Sequence, residues 1–429
     1  MKKILYLHRN DLRFHDNPVL TSISGEKCEF LPVYIFDKED YQNFSLSGVN
    51  RAGRYKRKFI YESVEELSKK YREHGSTLLW EHGSTSEIVA RMIRSYSITD
   101  VFLVKEHTDY ETNRENEMIA SNPEVRFTFF EDRTMVHPDY LPFHFSNLPD
   151  LFTNFRKEVE KDLRVRHSDP ELSALPLTIR TDPDEHSNRH EIRKLLEIDE
   201  SLDLRFKGGE SEGLMRLNYY LDETRLLSKY KETRNGLIGD DYSSKFSPWL
   251  SIGALSPRKI FWAVKEYEKK YEANESTYWL IFEMLWRDFF RFTAMKYGKK
   301  IFYKSGIQGA RWMDKSGGTH IDFIKWCKGE TGQPFIDANM QELNATGYMS
   351  NRGRQNVASW LVHDLKLDWR LGAEYFESML LDYDPCSNWG NWIYLAGVGN
   401  DGRENRRFNP ERQASMYDPA GDYQRLWQK

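Results

Sequence analysis

The chain has 429 residues, 39% hydrophobic and 30% charged, with a formal charge of -4 at pH 7. That length provides for two or three domains with a sizeable core, and the slightly acidic balance excludes a histone-like cationic coat while leaving room for a local basic patch. Three dispersed cysteines, Cys28, Cys327 and Cys386, form no Cys-x-x-Cys pair, so no disulfide framework or metal site is indicated and a reducing interior is expected.

The opening "MKKILYLHRNDLRFHDNP" loses its apolar character at His8, which reads as a buried strand and not a leader. From there to about Glu131, short apolar runs ("ILYLH", "FLPVYIF", "STLLWEH", "DVFLVKE", "VRFTFFED") alternate with amphipathic stretches such as "RYKRKFIYESVEELSKKYREHG". This alternation predicts a Rossmann-like α/β domain with a parallel sheet over residues 1–132. A stretch rich in Pro, Asp and His follows and predicts an interdomain linker over 133–190. Beyond it the periodicity is helical ("LNYYLDETRLLSKY", "TYWLIFEMLWRDFFRFTAMKYG", "RLGAEYFESMLLD"), predicting an all-α domain over 191–429. No window is long and apolar enough for a membrane span, so a cytoplasmic location and, by default, a monomer are expected.

Within the helical half, "YKETRNGLIGDDYSSKFSPWL" places small hydroxyls and glycines beside Arg234 and Lys245, a composition suited to a phosphate-bearing ligand. It lacks both the Gly-x-Gly-x-x-Gly and the Gly-Lys-Ser/Thr pattern, and a plain polar loop is the competing reading. In "FEMLWRDFF", Glu283, Trp286, Arg287 and Phe290 fall at helical spacing, placing an acid, an indole and a guanidinium on one face. That face suits a flat heteroaromatic guest, and equally a salt-bridged surface helix. Basic residues interleaved with aromatics, from Arg291 to Lys304 and again at Arg403, Arg406, Arg407 and Arg412, suit a single-stranded nucleic-acid groove. In "DYDPCSNWGNW", Asp382 and Asp384 lie on one side of an extended run, with Asn388 and Asn391 around Trp389; Arg352 and Arg354 are the expected ion-pair partners of the two acids.

These stretches, together with "TGQPFIDANMQELNATGYMSNRGRQNVASWL" and "SNWGNWIYLAGVGNDGRENRRFNP", resemble the photolyase and cryptochrome flavoproteins, most closely the cryptochrome-DASH branch, over nearly the whole chain. The resemblance implies an antenna domain followed by a helical FAD-binding domain. It implies that Tyr230, Ser243, Ser244, Lys245, Phe246 and Ser247 line the phosphate side of FAD, that Arg287 also binds the cofactor, and that Arg354 and Asp382 pair beside the isoalloxazine. Asp384 should face the flavin too, and Asn388 should lie opposite its N5, where an amide can donate or accept. Trp392, Trp369 and Trp312 correspond to the family's electron-transfer tryptophans from flavin to surface, with Trp326 the rival for the outermost place. Glu283, Trp286, Asn351 and Tyr394 correspond to the lesion pocket, and Arg234 and Arg407 to phosphate contacts. Glu106 and Glu111 are the candidate ligands of a methenyltetrahydrofolate antenna.

The implied activity is light-driven repair of cyclobutane pyrimidine dimers by electron transfer from reduced FAD. Tyr394 stands where double-strand photolyases of the family usually carry Trp; weaker stacking disfavours extrusion from a duplex, so single-stranded or looped DNA is the expected substrate, with RNA a further possible partner. The alternative is a blue-light receptor or regulatory nucleic-acid binder with little repair activity. The short end "YQRLWQK" counts against a signalling output, and no added His in the quoted pocket segments supports 6-4 photoproduct repair.

Overall fold

A computed structural model describes residues 2–172, 174–181, 189–309, 317–400 and 407–428. Trp312, Arg403 and Arg406 lie outside the described residues. Six strands, β1 (Lys2–His8), β2 (Cys28–Asp37), β3 (Leu79–Gly83), β4 (Asp100–Val104), β5 (Arg126–Phe130) and β6 (Leu177–Thr178), form a parallel sheet in the order β3-β2-β1-β4-β5, with β6 paired to β2. The sixth strand comes from the segment expected to be only a linker: Leu177 and Thr178 pair with Glu29 and Phe30, and Ile179 is buried behind them.

Helices α1 (Pro18–Ser24), α2 (Arg54–Glu73), α3 (Thr85–Tyr96) and α4 (Asp109–Ser121) cover the sheet. Alternation across the pleat sorts its side chains. Leu5, Leu7, Val33, Val101 and Leu103 pack with Ile88, Val89 and Met92 of α3 and Met118 of α4. On the other face Ile4, Tyr6, Phe30 and Phe102 join α2 through Tyr55, Phe59, Val64 and Tyr71, in a core that continues into the helical half.

That half comprises α5 (Phe152–Val159), α6 (Arg189–Leu195), α7 (Glu210–Asn218), α8 (Tyr230–Thr233), α9 (Ser247–Ser251), α10 (Pro257–Lys270), α11 (Glu275–Tyr297), α12 (His320–Lys328), α13 (Pro334–Thr346), α14 (Asn351–Ser359), α15 (Trp369–Met379), α16 (Pro385–Leu395), α17 (Pro410–Tyr417) and α18 (Asp422–Trp427). Among the described residues no helix is long and apolar enough to cross a membrane.

The loop after β1 fastens the sheet to the helices. Leu12 N–H donates to Ile252 O at 3.2 Å, and Arg13 reaches Gly253 O at 2.9 Å and Asp132 at 2.5 Å. Buried Glu210 at the start of α7 accepts the N–H groups of Phe14 and His15, and Asp16 pairs with Arg258 at 2.5 Å. Gly253, at φ +65, permits this approach, because a Cβ there would lie 2.0 Å from Asn10 O.

Chain order and sheet order reverse between β1 and β4, the place where open α/β sheets hold ligands beyond their strand ends. A cavity of about 450 Å³ opens there, walled by Arg9 and Asn10 after β1, Glu106 and Thr108 after β4, and Glu111 of α4. Tyr383, Pro385 and Trp389 close it from the helical side.

Candidate active site

Local sequence positions each element of the site. Helix α11 begins at an Asn274 capping box with Thr277, and it is secured midway by buried Asp288, which accepts the N–H groups of Met135 and Val136 at 3.0 and 2.8 Å. Helix α14 starts at Ser350, whose hydroxyl accepts Gly353 N–H at 2.9 Å. Helix α16 starts at Asp384, followed by Pro385, and Asp384 accepts Ser387 N–H at 2.8 Å.

The starts of α14 and α16 converge on a cavity of about 90 Å³ walled by Arg354, Asp382, Asp384, Asn388, Trp392 and Asn351. Arg354 meets both oxygens of Asp382, at 3.0 and 2.8 Å, and Ser247 Oγ donates to the same carboxylate at 2.7 Å. The two acids of "DYD" divide. Asp384 takes other partners: Arg291, and Arg133 at 3.4 Å, while Glu106 meets the same two guanidiniums. Burial opposes ionisation of Asp384, but Arg291, Arg287 and Arg133 outweigh it and hold the carboxyl well below the usual carboxylate range. Arg352, expected to pair with an acid here, instead donates to Gln355 and Asn235, each at 2.9 Å, and lies over the Tyr417 ring. It lies in the first turn of α14, and Tyr417 belongs to α17.

Asn388 donates from Nδ2 to Ala373 O at 3.0 Å, which leaves its carbonyl end for the cavity. Trp392 packs on Gly372 of α15, where a Cβ would lie 2.2 Å from the indole, and α15 opens with fully buried Trp369. Trp369 in turn meets Trp389 at 5.7 Å between ring centroids. Trp326 is not an outermost tryptophan: it is 0% exposed and meets Trp392 directly at 6.4 Å, because α12 packs inward through Phe323, Trp326 and Cys327.

On the outer side, Glu283 and Trp286 are half-buried on α11. Trp286 stacks on Phe152 of α5 at 3.7 Å and 14°, and Tyr394 meets it edge-on at 5.7 Å. Glu283 is paired with Arg234 at 2.6 Å, so the residues expected to read base and phosphate separately are joined to each other. Burial raises the Glu283 carboxyl, with Arg234 partly opposing. Arg287 departs from the shared face and donates to the carbonyls of Arg133 and Leu250 at 2.6 and 3.4 Å. Arg407, exposed, pairs with Asp364, and Asn351 is exposed at the start of α14.

The family described as "FAD binding domain of DNA photolyase" matches residues 279–428, and the one described as "DNA photolyase" matches residues 4–176. Cryptochrome DASH of Danio rerio is 45% identical over 439 residues, covering 99% of this chain and 83% of that one. The Xenopus laevis counterpart is 44% identical, covering 99% and 82%. The chain belongs to the photolyase and cryptochrome family, in its DASH branch. Among solved structures, a cryptochrome from Synechocystis sp. superposes with a TM-score of 0.91 at 40% identity over 100% of this chain and 88% of that chain. An archaeal photolyase from Sulfolobus tokodaii, solved with two FAD molecules, superposes at 0.79 with 28% identity over 100% and 90%.

The helical half of this DASH-branch chain is therefore a FAD-binding domain, and its residues fit a flavin dinucleotide. Lys245 is 2% exposed, lies at φ +58 and, among the described residues, has no hydrogen-bond partner for Nζ; the rings of Tyr242 and Tyr348 face it at 3.3 and 4.7 Å. Burial, then Arg205, pushes its ammonium well below the usual lysine range. A buried ammonium without a hydrogen-bonded partner is costly, and the phosphates of FAD are the groups that would complete it. Tyr230 and Phe246 are buried and Ser243 and Ser244 half-buried around the same loop.

In the larger cavity Glu106 and Glu111 behave differently. Burial opposes ionisation of Glu106, but Arg133, Arg291 and Arg9 keep it ionised; burial and then Glu106 raise Glu111. Glu106 thus belongs chiefly to the internal ion cluster, while Glu111 accepts Thr108 Oγ1 at 2.7 Å on the cavity wall.

Proposed function

We propose that this chain is a light-driven deoxyribodipyrimidine photo-lyase that splits cyclobutane pyrimidine dimers in single-stranded or looped DNA. The reading rests above all on the edge-on meeting of Trp286 and Tyr394, with Glu283 one turn before Trp286 on α11 and paired to Arg234. Bound FAD, when reduced, supplies the light-driven electron that opens the cyclobutane ring and receives it back.

The protein's part is binding and orientation. Trp286 and Tyr394 would hold the splayed bases, Glu283 would accept their N–H groups, and Arg234, released from Glu283, would take a neighbouring phosphate. Asn388 would offer its carbonyl to the flavin N5 hydrogen, favouring the reduced ring. Trp392, Trp369 and Trp312 would carry electrons inward to restore that reduced state. Tyr394 supports the single-strand preference, because a phenol offers less stacking surface than an indole against the cost of flipping a dimer from a duplex.

The cavity between β1 and β4 is assigned to a methenyltetrahydrofolate antenna, with Glu111 as the polar wall contact. Residues 1–132, 133–190 and 191–429 are the proposed antenna domain, linker and catalytic domain of a cytoplasmic monomer. The test is repair of one defined thymine dimer in an oligonucleotide offered first single-stranded and then as a duplex. Selective repair of the single strand supports the reading; equal rates would refute the preference, and repair of neither would favour a photoreceptor.

A further inference from the structure

The loop that leads into Lys245 is held by two arginines that no motif singled out. Arg216 stands in the last turn of α7, directly before a π-helical turn (Tyr219–Glu223). Its guanidinium donates to three carbonyls of the loop: Asp240 O at 2.8 Å, Ser243 O at 3.0 Å and Ser244 O at 3.0 Å. It also meets the Asp241 carboxylate at 3.3 Å. The π turn sets Tyr219 and Tyr220 beside the same guanidinium, at 5.2 and 5.4 Å, and Tyr219 donates to Asp241 at 3.0 Å. Arg205 holds the loop's other end, donating to Gly239 O at 2.9 Å and Asp240 at 2.7 Å while its remaining arm meets buried Glu342 at 2.8 Å.

A peptide unit is planar and trans, so a carbonyl aimed one way sends the next residue's N–H the opposite way. With the Ser243 and Ser244 carbonyls on Arg216, the N–H groups of Ser244 and Lys245 are turned away from it. A left-handed residue at Lys245 follows, a conformation a lysine adopts only when its surroundings hold it there.

We propose that Arg216, seconded by Arg205, is a positioning residue for the FAD pyrophosphate: it fixes the loop so that consecutive backbone N–H groups and the Lys245 ammonium converge on the anion. This rests on the assignment of the loop to the phosphate side of FAD. It makes the clamp a determinant of dinucleotide recognition, separate from the residues that grip the ring.

The test is titration of cofactor-free full-length protein with FAD and with riboflavin, which has the same ring and no phosphate. Arg216→Gln should weaken FAD by about tenfold or more, the size of one lost charge-supported hydrogen bond, and leave riboflavin within about twofold. Arg216→Lys, which keeps the charge but cannot span three carbonyls, should recover only part of the loss. Equal loss for both flavins, or an unchanged FAD affinity in Arg216→Gln, would overturn the proposal. Wild-type protein that prefers FAD no more than riboflavin would instead overturn the phosphate-loop assignment, and the clamp's role with it. Thermal midpoints of the cofactor-free variants, expected to lie near wild type, separate loop effects from unfolding.

Discussion

Substituting Asp384 by Asn would test the ion cluster behind the flavin-binding residues. Asparagine caps helices about as well as aspartate, so the Ser387 N–H bond at the start of α16 survives and the change isolates the charge. What is lost is the counter-charge to Arg291 and Arg133, whose side chains are 1% and 2% exposed. Removing one partner of a buried ion pair costs about 3–5 kcal/mol. Glu106 stays in contact with both guanidiniums, at 3.4 and 3.5 Å, so the lower end, about 3 kcal/mol, is expected. The assay is urea unfolding of the cofactor-free protein. The sign with pH follows from the depressed Asp384 carboxyl. Its stabilisation is fully present above the unfolded value near about 3.9 and is lost as pH falls toward the folded value. Asp384→Asn should therefore flatten the acid limb of stability as well as lower its plateau. A loss under about 1 kcal/mol, or an unchanged acid limb, would refute the reasoning.

Lys245→Met should leave the cofactor-free protein as stable as wild type or more so, because the ammonium is buried without a partner, while weakening FAD by about tenfold or more; a titration with paired melting curves reads both. Tyr394→Trp should raise duplex repair relative to single-strand repair, by up to about tenfold if a larger ring recovers 1–1.5 kcal/mol of stacking, and competition between the two substrates measures it. Trp369→Phe should slow photoreduction of oxidised flavin, followed by absorbance, without slowing repair by protein already chemically reduced.

The sheet was legible because each strand is a short apolar run between amphipathic helices, and period alone separates the two. β6 escaped because two residues of a polar segment carry no alternation; only the edge of β2 gives them a partner. The Arg354–Asp382 pair was legible from charge and from the resemblance, whereas the partners of Asp384 were not. Arg291 and Arg133 lie 93 and 251 positions away, and no spacing rule connects such distant residues. Phe152 was hidden for the same reason, since its stack on Trp286 joins α5 to α11, elements far apart in the chain. Trp326 was a rival for the outermost place only through the resemblance, whereas the helical period turns Phe323, Trp326 and Cys327 inward together. Arg216 had a faint signal in "RLNYY", where two tyrosines follow at helical spacing, but carbonyl capture by a guanidinium leaves no trace in composition.

The most direct measurement of the central claim is repair under blue light by anaerobic protein carrying verified reduced FAD and no external reductant, on a single-stranded oligonucleotide with one thymine dimer. Thymine absorbance and flavin absorbance are followed together. The account predicts many dimers restored per flavin, none in the dark, and a flavin spectrum unchanged at the end. Light-independent repair, repair that stops after one turnover with the flavin oxidised, or no repair at all would contradict it.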